Sequence, residues 1–150
     1  MEMFLSNLLT EKGKGNTKEI YAKNKPGEIY EYSNIGTTLA AFVIEKATGE
    51  TFDKFTTKHI LKPLKMNSSG WHFEDIDFAN YSKLYENPKT VLPFYSMVSY
   101  PDGNFITSIN DLSLYLTELI KGYNGNGTIL SKESFKEYLR PQLEAKNFLD

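Results

Sequence analysis

The 150-residue chain contains no cysteine. This removes disulfides, thiolate nucleophiles and thiolate metal sites at once, and it is compatible with either a reducing or an oxidising compartment. Arginine is nearly as scarce: Arg140 stands alone beside 16 lysines scattered among 19 acidic residues, giving a formal net charge of −2. That distribution offers no basic face to follow a phosphate backbone, so nucleic acid is not an expected partner. Histidine occurs only as His59 and His72. His72 has Glu74, Asp75 and Asp77 nearby but no second histidine at ligand spacing, so no metal is expected, and no cofactor. Long apolar runs are missing too. The opening MEMFLSNLLTEKGKG has no basic n-region and soon turns polar, so it reads as neither signal peptide nor membrane span. The glycines of GKG and GNG lack the strand and helix that a phosphate-cradling loop requires.

What is present is the composition of a globular domain, 40% hydrophobic and 14% aromatic, well outside the disordered range. The apolar periodicity predicts a mainly α chain with minor β (α+β). Phe4, Leu5, Leu8 and Leu9 mark a short helix, ended by the glycines of a polar loop. Pro26-Gly27 opens a tight turn, and Ile29, Tyr30 and Tyr32 follow as a brief extended stretch. From Ile35 the period becomes helical. Ile35, Leu39, Phe42 and Val43 share one face, Ser33 or Asn34 caps the start, and Gly49 stops the end. A second helix is expected from about Thr51, its cap, with Phe52, Phe55 and Ile60 on one side and Pro63 as its limit, so that the two form a helical hairpin. Residues 67–106 read as loops, with short strands near GWHFE and NFITS. Ser108 and Asp111 have capping-box spacing before a helix bearing Leu112, Tyr115, Leu116 and Leu119 and ending at Gly122. After the flexible turn GYNGNG, Ser131 caps a last helix carrying Phe135, Tyr138 and Leu139, stopped by Pro141.

Two residues at the start of the long helix can carry chemistry. Tyr32 and Asn34 lie two apart on an extended segment, which projects their side chains to one face with Ser33 between them pointing away. A phenol has an ordinary pKa of about 10 and becomes a base near neutrality only beside a cation such as a desolvated lysine. A carboxamide both donates and accepts hydrogen bonds, which suits it to an amide-bearing substrate or to orienting that lysine. A packed ring followed by an N-cap would give the same tripeptide, and both readings stand at this point. Tyr21, Tyr30, Tyr81, Tyr85, Tyr95 and Tyr100 divide in the same way, between a groove that stacks sugar or peptide and ordinary core.

The stretch PGEIYEYSNIGTTLAAFVIEKATGETFDKFTTKHILKPLKM resembles the segment of penicillin-recognising serine hydrolases that runs from Pro-Gly through Tyr-Ser-Asn, a Gly-bearing helix and Thr-Gly to Pro-Leu-Gly-Met. YPDGNFITSINDLSLYLTELIKG and NGTILSKESFKEYLRPQ resemble the segments that follow, so the likeness runs from about residue 25 to 142 in the family's order. The family is that of class C beta-lactamases, D-Ala-D-Ala peptidases and related esterases. The resemblance implies that Tyr32 is a catalytic residue assisting proton transfer to and from a nucleophile, and that Asn34 is a substrate-binding residue that also contacts the catalytic lysine. It also implies a beta-lactam, a peptidoglycan peptide or an ester as substrate, and a periplasmic, envelope-bound or extracellular parent.

The departures matter as much as the matches. The family's nucleophile lies in Ser-x-x-Lys on a helix, where positions i and i+3 share a face and the ammonium assists deprotonation of the hydroxyl. No Ser-x-x-Lys occurs in the chain, and Thr51-Phe-Asp-Lys54 has the spacing with a threonine that is needed as a cap. The family's later Lys-Thr-Gly or His-x-Gly strand is also missing, and Lys65 replaces the glycine of Pro-Leu-Gly-Met without touching function. Residues 1–150 are therefore expected to be a single partial domain, the helical portion of a larger hydrolase, inactive by itself and open to self-association through uncovered apolar helix faces. The alternative from another class is a non-catalytic binding module that keeps the scaffold without its chemistry.

Overall fold

A computed structural model of the chain describes residues 1–148. The fold is mainly α with a minor β component. Its helices are α1 (Glu2–Leu9), α2 (Asn34–Thr48), α3 (Phe52–Thr56), α4 (Ile109–Tyr123) and α5 (Lys132–Leu139). One antiparallel hairpin, β1 (Tyr85–Asn87) with β2 (Thr90–Val91), lies in the long connection before α4. Short 3₁₀ turns at Lys18–Ile20, Phe73–Asp75, Phe78–Asn80, Tyr100–Asp102 and Ala145–Asn147 make up much of the remainder.

The helix ends follow local chemistry. Ser33, Ser108 and Ser131 each accept a first-turn N–H, from Gly36, Asp111 and Ser134 respectively, which satisfies donors that a helix cannot pair internally. Gly49 closes α2 at φ 72°, a left-handed conformation that glycine adopts without steric cost. The short strands expected near GWHFE and NFITS reduce to an isolated antiparallel bridge between Gly70 and Ile106, and the hairpin lies between them in sequence.

Three details differ from the sequence reading. The helix after Thr51 is α-helical only to Thr56 and then widens into a π-turn over Thr57–Leu61, where the Lys62 N–H donates to the Thr57 carbonyl at 2.9 Å. The Thr56 hydroxyl donates back to the Phe52 carbonyl (2.8 Å) and accepts from the Trp71 indole (2.8 Å), a local competition that disturbs helix geometry. Thr51 holds the cap position without using its side chain as acceptor, and the Phe52 N–H donates to Glu45 Oε1 at 2.9 Å instead. The Ser108–Asp111 box is half formed: Asp111 turns away from Ser108 and accepts from the Ser68 N–H and the Ser69 hydroxyl, both at 2.7 Å.

Burial in α2 does not follow the apolar stripe. In α2 the buried side chains are Thr38 and Ala41, while Leu39 and Val43 of the expected apolar face are exposed. Thr38 can be buried because its hydroxyl donates to Asp102 Oδ2 at 2.9 Å. Among the described residues only Leu5, Ala41, Leu61, Met66 and Phe135 are buried hydrophobics. The chain exposes 11495 Å². A compact monomer of 17.2 kDa exposes about 7,800 Å² by surface-to-mass scaling, so about 3,700 Å² lies open beyond that.

Candidate active site

The approach to Tyr32 is held from both sides. Gly27 adopts φ 85°, and the turn closes with the Glu28 N–H donating to the Lys25 carbonyl at 3.1 Å. Asn147, far along the chain, then clasps this segment. Its carbonyl accepts from the Tyr30 N–H at 2.6 Å, and its amide donates to the carbonyls of Gly27 and Glu28 at 3.3 and 3.1 Å. The Tyr30 and Phe148 rings pack at 5.7 Å.

Beyond this clasp the chain runs extended through Tyr32 and turns helical. Ser33 sits at φ −141°, ψ 117°, and its hydroxyl accepts from the Gly36 N–H at 3.0 Å. That hydroxyl is therefore engaged in the cap. Asn34 is the first residue of α2, so the candidate pair straddles the helix N-terminus, one residue on each side of the cap. Tyr32 is 66% exposed, Asn34 is also exposed, and neither side chain hydrogen-bonds to another described residue.

One turn into α2, the Thr38–Asp102 bond docks the 3₁₀ turn Tyr100–Asp102 against the helix. The same turn carries Tyr100, whose hydroxyl accepts from the Asp53 N–H at 3.2 Å and faces the Asp53 carboxylate at 3.4 Å. Burial, with Asp53 and Glu45 adding their charge, pushes the Tyr100 phenol well above its ordinary range. Burial would raise the Asp53 carboxyl, but hydrogen bonds from the Thr51 side chain and the Lys54 backbone, with His72 nearby, hold it below its ordinary value. His72 Nε2 lies 3.8 Å from Asp53 Oδ2. Trp71, Phe52 and Tyr100 pack around this pair with ring centroids 5.2–6.4 Å apart.

Immediately after the docked turn, Gly103 and Asn104 enter the wall of an open cavity of about 340 Å³, shared with Trp71, Phe73, Tyr81 and Tyr95. The tyrosines thus separate: Tyr81 and Tyr95 line this cavity, Tyr100 is packed, and Tyr21 and Tyr30 lie elsewhere on the surface. Neither Tyr32 nor Asn34 borders the cavity. The sequence reading did not single out Asp102, the middle residue of Pro101-Asp102-Gly103, which holds this turn against α2.

The other candidates have ordinary employment. Asp75 accepts from the backbone of Trp71 and His72, and Asp77 caps Ala79 and holds Asn80. Among the described residues no three His, Asp or Glu side chains converge as metal ligands. His59 is exposed, with its ring against Phe55 at 4.5 Å.

This architecture, mainly helical with Tyr-Ser-Asn at the start of α2, is that of a chain of the penicillin-binding and beta-lactamase type. The sequence model of the Beta-lactamase family matches residues 17–148, and the chain belongs to that family. It is 25% identical over 123 residues to the protein PbpX of Bacillus subtilis (strain 168), a match covering 79% of this chain and 30% of that one. It is 28% identical over 97 residues to Protein flp of Staphylococcus aureus (strain MW2), covering 62% of this chain and 20% of that one. The fold is similar to that of the octameric penicillin-binding protein homologue from Pyrococcus abyssi, with a TM-score of 0.62, 24% identity, and coverage of 95% of this chain and 36% of that one. The chain therefore spans between a fifth and just over a third of the length of these proteins.

Proposed function

We propose that residues 1–150 form the helical part of a serine hydrolase that works by acyl transfer, with the nucleophilic serine and its lysine supplied by other polypeptide. In this reading Tyr32 relays the proton to and from the serine, and Asn34 binds the substrate's amide and orients the lysine. A beta-lactam, a D-Ala peptide or an ester would be the acyl donor. The observation that carries the reading is the exposed Tyr32 phenol, which hydrogen-bonds to no other described residue, close in sequence to Asn34 at the start of α2, in a chain of this family that has no Ser-x-x-Lys.

Acyl transfer by this chain alone is tested with nitrocefin, a fluorescent penicillin and a p-nitrophenyl ester. The expected result is neither turnover nor covalent labelling. Turnover that disappears only when a residue of this chain is changed would overturn the reading. The role of Tyr32 is tested by joining the chain to a Ser-x-x-Lys-bearing segment of a family relative and comparing acylation before and after Tyr32→Phe. A loss of about 100-fold or more is expected, the range for a positioned proton-transfer group; an unchanged rate removes Tyr32 from the mechanism.

A further inference from the structure

Residues 22–33 form no helix or strand, and apart from Ile29 every one of them is exposed. Burial therefore does little to fix the path of this stretch, and hydrogen bonds must do so. Among the described residues, its long-range hydrogen bonds all involve Asn147. The Tyr30 N–H donates to the Asn147 carbonyl at 2.6 Å, and the Asn147 amide donates to the carbonyls of Gly27 and Glu28 at 3.3 and 3.1 Å. Downstream, the chain is pinned by the Gly36 N–H donating to the Ser33 hydroxyl. Tyr32 stands between these two anchors. Its own side chain hydrogen-bonds to no described residue, so its place is inherited from them.

The chemistry of a carboxamide suits this arrangement at both ends. Asn147 Oδ1 accepts from the Glu144 N–H at 2.9 Å while Nδ2 faces the two carbonyls, so the partners fix which end of the amide is which. The backbone of Asn147 adds a bond on each side, donating to the Glu144 carbonyl at 2.9 Å and accepting from Tyr30. One half-buried residue thus joins the turn at Ala145–Asn147 to a stretch that begins 120 residues away, at Gly27. Aspartate has the same shape and keeps the acceptor for Glu144, but it sets a carboxylate oxygen against two carbonyl oxygens. The two duties of the side chain, closing its own turn and gripping the approach to Tyr32, can therefore be separated by one substitution.

We propose that Asn147 is a positioning residue for Tyr32: by gripping the carbonyls of Gly27 and Glu28, its amide fixes the point from which the chain extends to the Tyr32 phenol. The inference rests on the acyl-transfer reading for what Tyr32 does, and on the clasp for where Tyr32 stands. The second part is measured in the purified chain by amide hydrogen exchange. Asn147→Asp is expected to speed exchange of the Tyr30 N–H about 10-fold or more, while the amides of α2 keep their protection and so report an intact fold. Unchanged exchange at Tyr30 overturns the inference.

The catalytic consequence is read in the hybrid that carries a Ser-x-x-Lys segment, with the p-nitrophenyl ester as substrate. Asn147→Asp is expected to lower kcat about 10- to 100-fold with KM nearly unchanged, as a displaced proton-transfer group does. It is expected to cost nothing further once Tyr32 is replaced by Phe, because it acts only through that phenol. An equal loss in the Tyr32 and Tyr32→Phe backgrounds overturns the positioning role, since general loosening of the fold would act on both. A Tyr32→Phe hybrid slowed about 100-fold beside an unaffected Asn147→Asp hybrid is the failure of the positioning role alone. An unaffected Tyr32→Phe hybrid is the failure of the acyl-transfer reading itself, and it takes the positioning role with it.

Discussion

The hydroxyl of Thr38 donates to Asp102 Oδ2 at 2.9 Å across 64 residues of sequence, and it ties the helix that begins at Asn34 to the turn leading into the Gly103–Asn104 cavity wall. Thr38 is fully buried. Thr38→Val keeps the shape and removes the donor, leaving a part-buried carboxylate without this partner, at a cost of about 1–3 kcal/mol. Asp102→Asn, which keeps a carbonyl acceptor, should cost less. Urea denaturation midpoints measure both, and a valine variant as stable as the parent would show that the bond does not hold the turn.

Lys65 occupies φ 59°, the only non-glycine residue with positive φ in the chain's described part. It stands where the family's Pro-Leu-Gly-Met has glycine, and the backbone supplies the reason for that glycine: a side chain in the left-handed region costs about 1–2 kcal/mol. Lys65→Gly is expected to recover roughly 1 kcal/mol of stability, net of glycine's greater entropy when unfolded. Thermal and urea unfolding report the change; a loss of stability would mean that the lysine side chain makes up for its strain.

Phe135, 1% exposed, is the largest fully buried side chain, and it lies on two glycines. A Cβ added at Gly122 would sit 2.2 Å from its ring, and one at Gly127 would sit 2.1 Å away. Gly122→Ala must therefore displace the ring, with an expected cost of about 1–3 kcal/mol from overpacking. Phe135→Ala should cost about 3–5 kcal/mol. Because both changes act on one packing point, the double variant should destabilise by less than the sum, and strict additivity in a double-mutant cycle would refute the shared contact.

Glu118, buried in α4, accepts from the Thr128 N–H, the Thr128 hydroxyl (3.0 Å) and the Ile129 N–H (2.9 Å). Burial raises its carboxyl, but these hydrogen bonds together with the Lys121 charge outweigh burial and bring it below the ordinary value. A carboxyl depressed in the folded state stabilises the protein above its unfolded pKa of about 4.3. That contribution is lost as the pH falls from there through the folded value. Glu118→Gln should lower stability near neutrality and flatten the acid limb of the pH–stability curve. An acid limb identical to the parent's would exclude Glu118 as its source.

Much of the chain is legible in its sequence because the relevant partners are close neighbours. Ser33, Ser108 and Ser131 cap helices whose donors lie three residues away, and Gly49 ends α2 as its position predicts. The order of motifs from Pro-Gly to the Leu-Ser helix likewise places the chain in its family. The buried side of α2 was not legible for a physical reason: periodicity identifies an apolar stripe, but whether that stripe is covered depends on what lies against it. Thr38 went inward because Asp102 could satisfy its hydroxyl, and Leu39 and Val43 remained outside.

The sequence by itself determined which serines cap three of the helices, where α2 stops, and the family, since all of these depend on spacing within a few residues or on motif order. Only the tertiary structure decided that Asp111 reaches Ser68 and Ser69, that Asn147 clasps the strand-like approach to Tyr32, and that Leu112, Leu116 and Ile120 of α4 are left exposed. Those outcomes join positions 42 to 120 residues apart or follow from which surfaces find a neighbour. A local pattern can propose a partner for each buried polar group, but only the packed chain sets which donor arrives first and which apolar face is left uncovered.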